Sequence, residues 1–568
     1  MKVRVATSGI ALVLALAGCG GDDNGGAATP TPTATTPPAP ASASLLPATG
    51  ETAAYKDTLL KLTFDTAPVV TGLGQIRVYK SDGTLVDTID TSPNVVAAGG
   101  ETQVAIGAAN TEIDKIGNGV ASLTQYRFTY YRPIRIAGNS ATIKLHDGVL
   151  AYDTSYYVQV DQSVFNGGFA GAGSFPGIGG TTGWTFRTRS APTSTSTLVV
   201  DDDGAADFRS VQGALDYVMA TGCLSCAGAA TAKTITVKNG VYDEQLFLRN
   251  VSNLTIAGEN RAGTVVQNSN WEAFNPGTGG SRATPNTTFT NIGGVTTLGN
   301  RLSLGGGRAL LLVEGGDLLK LTNFTMTNTH QKDATQNSQS EVIYYNSATL
   351  NGSRFIGTDM NFIGTQDTLQ MKGWVWIYNS LIAGDVDFLW GYPFAELIEN
   401  SELRTVFDPS APTSGGYLFQ ARSAKGYPGF VVLGGSLTAA SGVPAGSAYL
   451  ARSGGNTQAQ GFCTTPLAVG GGSPGNANQY CDTVAFLGVR MGEHIATAGW
   501  FINPVPNQLP TAREGWRESG SLTAAGTPLP LAGRETRYAA SNADLTGLNT
   551  RTKVFAQWNG NAGWNPQP

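Results

Sequence analysis

The stretch "VWIYNSLIAGDVDFLWGYPFAELIENSELRT", residues 375–405, sets two short alternating strands around a single Asn and then repeats the arrangement. Asn379 and Asn400 hold equivalent places twenty-one residues apart, about one coil of a solenoid. The unit recurs outward in both directions, as "NLTIAGE" at 253, "LLKLTNFTMTN" at 318, "ATLNGSRFIGT" at 348, "FVVLGGSLTAA" at 430 and "TVAFLGVRMGE" at 483. A sandwich would need hairpin pairs such as Asn-Gly between its strands, and these are scarce here. The repetition predicts an all-β chain whose main part, 197–568, is a right-handed parallel β-helix. The amphipathic segment "SVQGALDYVMA" at 210–220 should form its capping helix.

Composition agrees with this reading. Of 568 residues 74 are Gly and only 14% are charged, which favours strands with tight turns over helical bundles. The net charge of −5 comes without any basic block, so nucleic acid is excluded as a partner and a monomer is expected.

Ahead of the solenoid, residues 47–188 carry short alternating runs such as "LLKLTFD", "QIRVYKSDGTLVDTID" and "SYYVQVDQ". Their spacing predicts an antiparallel sandwich. The opening "LTFDTAP" and closing "GWTFRT" resemble the bacterial Ig-like domains that precede many surface enzymes. His146, in "IKLHDG", reads as a turn residue, and 189–196 form a linker.

Residues 1–18 have the layout of an export signal: Lys2 and Arg4, then an apolar run too short to span a bilayer. Leu16-Ala17-Gly18-Cys19 resembles the bacterial lipobox, which implies cleavage before Cys19 and its acylation. Residues 19–46, rich in Pro, Thr and Ala, are then a tether. The expected location is the bacterial cell envelope, on the outer membrane because no Asp follows Cys19. Four other cysteines in an oxidising compartment predict two disulfides, Cys223–Cys226 and Cys463–Cys481. A redox or metal role for "CLSC" lacks a second ligand pair.

"TQDTLQ" places Asp367 twenty residues before Asp387 of "GDVDFLWG". On successive coils, with strands about 4.8 Å apart, the two carboxyls can face one another. Two such groups resist joint ionisation, giving an ionised nucleophile or base beside a protonated acid. Strand alternation puts Val386 and Phe388 inside the coil and Asp385, Asp387 and Leu389 outside. Gln366, Gln339, Arg452 and the aromatics Trp374, Trp376, Trp390 and Tyr392 accompany the pair.

At these residues the chain resembles the pectin methylesterase (pectinesterase) family over most of 197–568. "TQDTL" and "DFLWG" match its two acidic motifs in order and spacing, "VKNGVYDEQLFL" resembles its G-x-Y-x-E segment, and "QSEVIYY" fits its glutamine motif less closely. The resemblance implies hydrolysis of polygalacturonate methyl esters without metal or cofactor. By position, Asp387 is the nucleophile, Asp367 the acid/base, Gln366 and Gln339 the oxyanion donors, and Arg452 the partner that orients Asp387. Trp390, Tyr392 and Trp374 are expected to contact substrate. The family's Pro-Trp after the arginine is replaced here by Ser453 and Gly454, and Trp390 stands where a smaller aromatic is usual.

Other readings carry different residues. The same aspartates could cleave another ester or a thioester, and a non-catalytic glycan-binding β-helix could retain the motifs as scaffold. A pectate lyase needs a calcium-binding acidic cluster, for which only "DDD" at 201–203 offers itself. "GGSPG" at 471–475 matches the serine-hydrolase elbow around Ser473, with His494 following, but lacks the flanking strand and helix. His330 and His494 read as surface or turn residues.

Overall fold

The computed structural model describes residues 44–92, 109–116, 127–275, 307–333, 339–454, 463 and 481–568. The expected signal, Cys19, nearly all of the tether and Ser473 lie outside the described residues. Among those described, no helix is long and apolar enough to cross a membrane.

The N-terminal part has two main sheets. Leu45–Leu46, Leu60–Thr63, Ser140–Ile143 and Ile134–Ala137 form one, and its first strand begins two residues before the expected boundary at 47. Glu51–Ala54, Thr185–Thr188, Ser155–Val160, Gln75–Lys80 and Leu85–Asp90 form the other. Alternation places Leu60 and Leu62 of the first sheet and Ile76, Val78 and Phe186 of the second in one shared core. Pairings are antiparallel except between Glu51–Ala54 and Thr185–Thr188. His146 is no exposed turn residue. It is buried, and its Nδ1 lies 2.7 Å from Asp87 Oδ1. Burial alone would lower its pKa, but Asp87, Asp114 and Glu112 outweigh this and raise it to about 9.

From Thr197 onward every ladder between strands is parallel, as a β-helix requires. The strands stack in three columns. Two of them merge into one seventeen-stranded sheet where Leu369–Tyr378 and Val386–Glu399 run through both, and the third is a separate nine-stranded sheet. The core is built by register. Leu246, Leu311, Ile343, Leu369, Leu389, Phe419 and Ala451 pair in succession, and all are buried.

From Asn323 onward the coils turn into the nine-stranded sheet at one left-handed residue. Asn323, Asp359, Asn379 and Asn400 hold φ between 48° and 63°, and Gly434 and Gly488 continue the series at 65° and 62°. Asn and Asp are the side chains that tolerate this conformation, which is why the Asn repeat was visible in the sequence. The capping helix spans Val211–Gly222, with Ser210 Oγ accepting from the Gly213 amide. Both expected disulfides, Cys223–Cys226 and Cys463–Cys481, are formed.

Candidate active site

Leu369 pairs with Leu389 and Gln370 with Trp390, so the same offset of twenty sets Asp367 opposite Asp387 on the next coil. The Asp367 amide donates to the Val386 carbonyl at 3.0 Å. Both aspartates are left-handed, with φ of 66° and 50°. In an unbroken strand Asp387 would share a face with Leu389, two residues on, and be lost in the core. The left-handed residue breaks that alternation. Leu389 and Phe388 are both fully buried in the core cluster, while Val386 is half-exposed. The expected parity is therefore wrong at Val386 and Leu389. Asp385 also does not face outward: it is buried, with both carboxylate oxygens 3.2 Å from Lys332 Nζ, which also binds Asp408. Glycine is required just beyond, since Gly391 has φ 134° and a Cβ there would collide with the Met371 carbonyl oxygen.

Asp387 is clamped as expected. Arg452 Nε donates to Oδ1 at 2.8 Å and its Nη2 to Oδ2, which also accepts from Gln420 Nε2 at 2.7 Å. Gln420 is in turn held through its Oε1 by Arg422 Nε and Nη2, at 3.0 and 2.7 Å. Burial raises the Asp387 carboxyl above its usual range, and Arg452 and Arg422 pull against that rise.

Asp367 has a different environment. Its Oδ2 accepts from Arg308 Nη2 at 3.1 Å, and Arg308 is itself buried. The same guanidinium binds Glu341 through Nε and Nη2 at 2.5–2.7 Å and Glu272 through Nη1 at 2.7 Å. Burial pushes the Asp367 carboxyl well above the usual range, Glu341 and Asp387 add to the rise, and Arg308 and Arg422 oppose it. Two neighbouring carboxyls thus have their proton affinities set by different partners, the arrangement that separates an acid from a nucleophile.

The remaining expected residues divide. Gln366, next to Asp367 in sequence, and Gln339, two residues before Glu341, are half-buried; their backbone carbonyls accept from the Ser340 and Glu272 amides, and their carboxamides have no hydrogen-bond partner among the described residues. Trp390 lies at the centre, its ring between the Arg308 and Arg422 guanidiniums at 5.9 and 5.3 Å. Tyr392 is beside it, its hydroxyl accepting from Arg422 at 3.0 Å. Trp374 is not a substrate contact. It is fully buried against Phe394 and Tyr427 in a separate cluster, on the part of its strand that pairs with Arg354–Thr358.

Arg308, Glu341, Gln420 and Arg422 complete the site without having been singled out in the sequence. Three half-buried rings, Tyr417, Tyr449 and Phe501, extend it over the following coils. Tyr417 lies 4.5 Å from the Arg452 guanidinium, and the three ring centroids are 4.9–6.1 Å apart.

The other candidates fall elsewhere. His330 is buried and stacked on Trp271 at 4.7 Å, neither at the surface nor in a turn, whereas His494 is in a turn, as expected, but buried with its pKa lowered to about 4. Asp201 of the "DDD" run accepts from the Asp203 and Gly204 amides, a turn-capping role.

No protein-family model matches the sequence, and no curated protein matches it either. Among solved structures the chain is similar to the pectin methylesterase of Yersinia enterocolitica, at 22% identity over 62% of this chain and 100% of that one, with a TM-score of 0.43. It is also similar to the pectin methylesterase of Erwinia chrysanthemi, at 21% identity over 65% and 99% of the two chains and a TM-score of 0.44, and to that of carrot, at 18% over 65% and 95% and 0.43.

Proposed function

We propose that the chain hydrolyses carboxylic methyl esters of a polyuronate, pectin foremost, with Asp387 as nucleophile and Asp367 as acid/base. One observation carries this reading: Arg452 holds Asp387 as a carboxylate while Asp367, one coil away, is buried among other carboxyls. Asp387 attacks the ester carbonyl, the carbon–methoxy bond breaks, and Asp367 protonates the departing methoxide to methanol. Water then attacks the anhydride joining substrate to Asp387 and loses its proton to Asp367, which restores both groups. Gln366 and Gln339, whose carboxamides have no hydrogen-bond partner among the described residues, supply the hydrogen bonds for the oxyanion. Tyr417, Tyr449 and Phe501 offer apolar faces to the sugar rings beyond the scissile ester.

The assignment requires Asp387 ionised and Asp367 protonated, so the rate should fall on both sides of an optimum. The acid limb reports Asp387, displaced upward by burial, and the alkaline limb reports Asp367, displaced further. Methanol release from methyl-esterified pectin, measured from about pH 4 to pH 10 beside small aryl esters and acyl thioesters, tests both points. Turnover of the thioesters alone, or a rate insensitive to pH, would reject the reading.

The N-terminal sandwich is read as an Ig-like spacer, and the chain as exported and lipid-anchored through Cys19. The support is the signal-like run ending in Leu-Ala-Gly-Cys. Cys19→Ser should move the protein from the membrane to the soluble fraction of an expressing bacterium, and persistence of the wild-type chain in the soluble fraction would count against anchoring.

A further inference from the structure

Arg308 is a single cation serving three carboxyls. Its shortest contacts go to Glu341, through two nitrogens and both carboxylate oxygens, and Asp367 receives only one bond, at 3.1 Å. Glu341 is completely buried. It reaches this place by register. Ile343 pairs with Leu369, which sets Glu341 opposite Asp367 on the preceding coil, as Asp387 is opposite it on the following one.

The charged groups around Asp367 are Arg308, Glu272 and Glu341 on one side, and Asp387, Arg452 and Arg422 on the other, with Tyr344 beside Glu341. Among the described residues three guanidiniums therefore face these four carboxyls, with Asp482 beyond Arg422. Burial penalises excess charge in such a cluster, which favours a proton on a carboxyl with a weak cationic partner. Asp387 has Arg452 to itself in a bidentate pair, and Glu341 has the better share of Arg308. The group left with the weakest cationic contact is Asp367.

We propose that Glu341 is a positioning residue that keeps Asp367 in its acid form, by occupying the Arg308 guanidinium that would otherwise pair with an ionised Asp367. The inference rests on the acid/base reading of Asp367. It adds a residue that touches no reacting atom and acts only through Arg308. Removing its charge while keeping its shape, as in Glu341→Gln, turns Arg308 toward Asp367 and favours the carboxylate there. The first step then lacks its proton donor over a wider range of pH.

The test is a pair of measurements on the full chain. In wild type, Glu341→Gln and Glu341→Asp, the alkaline limb of kcat/KM for methyl-esterified pectin is located, and Asp367 is titrated by NMR with 13C-carboxyl-labelled aspartate, its resonance assigned by Asp367→Asn. Glu341→Gln should lower both by at least about one pH unit, so that above the new limb the rate drops roughly tenfold. Glu341→Asp should restore the wild-type positions. Should Glu341→Gln fail to fold, Glu272→Gln removes a second carboxyl from the same guanidinium and should shift both in the same direction. Unmoved limb and resonance in a folded variant would overturn the proposal. The NMR titration needs no turnover, so an absence of pectin hydrolysis would overturn the functional reading while leaving the role of Glu341 still decided by the resonance.

Discussion

Asp387→Ala should lower kcat/KM for the ester substrate by about four orders of magnitude or more, with the cooperative melt of the protein largely preserved. Losing the nucleophile of a double-displacement mechanism removes the covalent route altogether, and the residual rate reflects only binding and oxyanion stabilisation. The fold should tolerate the change because the partner left behind, Arg452, keeps 29% of its side chain exposed and can be solvated. Gln420 likewise keeps its two bonds from Arg422. Asp387→Asn is the stricter control, since it retains the volume and removes only the charge. Methanol release within tenfold of wild type in a folded Asp387→Asn enzyme would remove Asp387 from the chemistry. Loss on pectin with retention on small aryl esters would instead show that the aspartate serves binding of the polymer.

Why Asp387 was readable in the sequence, and Glu341 was not, follows from how coils are counted. Asp367 and Asp387 lie on adjacent coils with no insertion between them, so a spacing of twenty maps directly onto contact. The previous coil takes twenty-six residues, from Glu341 to Asp367, because Ser347–Ser353 makes an added turn before the strand Arg354–Thr358. Counting back at a constant period misses it, although Gln339 is only two residues away. Arg308 is further still, 59 residues from the aspartate that it binds, with a whole coil intervening.

The failure of parity at Leu389 has a local physical origin. Alternation assumes extended backbone throughout, whereas Asp387 is left-handed and breaks the alternation of the residues that follow. Leu389 thus enters the core beside Leu369, whereas Trp374 keeps the parity of Gln370 and is in a different cluster from Trp390 because its part of the strand pairs with Arg354–Thr358. Asn at a coil corner announces such a residue from the sequence, as Asn379 and Asn400 do. Asp inside an apolar strand announces it only in hindsight, because the same residue type also serves chemistry.

Arg308→Met is expected to be the most destabilising single change at the site, by about 3–5 kcal/mol, the range for removing one partner from a buried ion pair. The substitution keeps apolar bulk against Trp390 but strips Glu341 of every hydrogen bond made to its carboxylate here, and leaves Asp367 without its cation. An uncompensated carboxylate at that depth takes up a proton instead, so the folded variant binds more protons than its unfolded chain, where Glu titrates near 4.3. Stability must then fall as pH rises, because the unfolded state binds fewer protons than the native one. The deficit relative to wild type should accordingly be largest at alkaline pH and shrink as the pH is lowered toward 5. Urea unfolding at pH 5.5 and 8.5 distinguishes this from a packing defect, whose cost would be the same at both. The double variant Arg308→Met, Glu341→Gln should recover part of the loss, since the amide carries no charge to desolvate, and the recovery measures the coupling of the pair. An Arg308→Met protein as stable as wild type at pH 8.5 would mean that Glu341 is neutral in the native enzyme, and the charge balance drawn here around Asp367 would have to be abandoned.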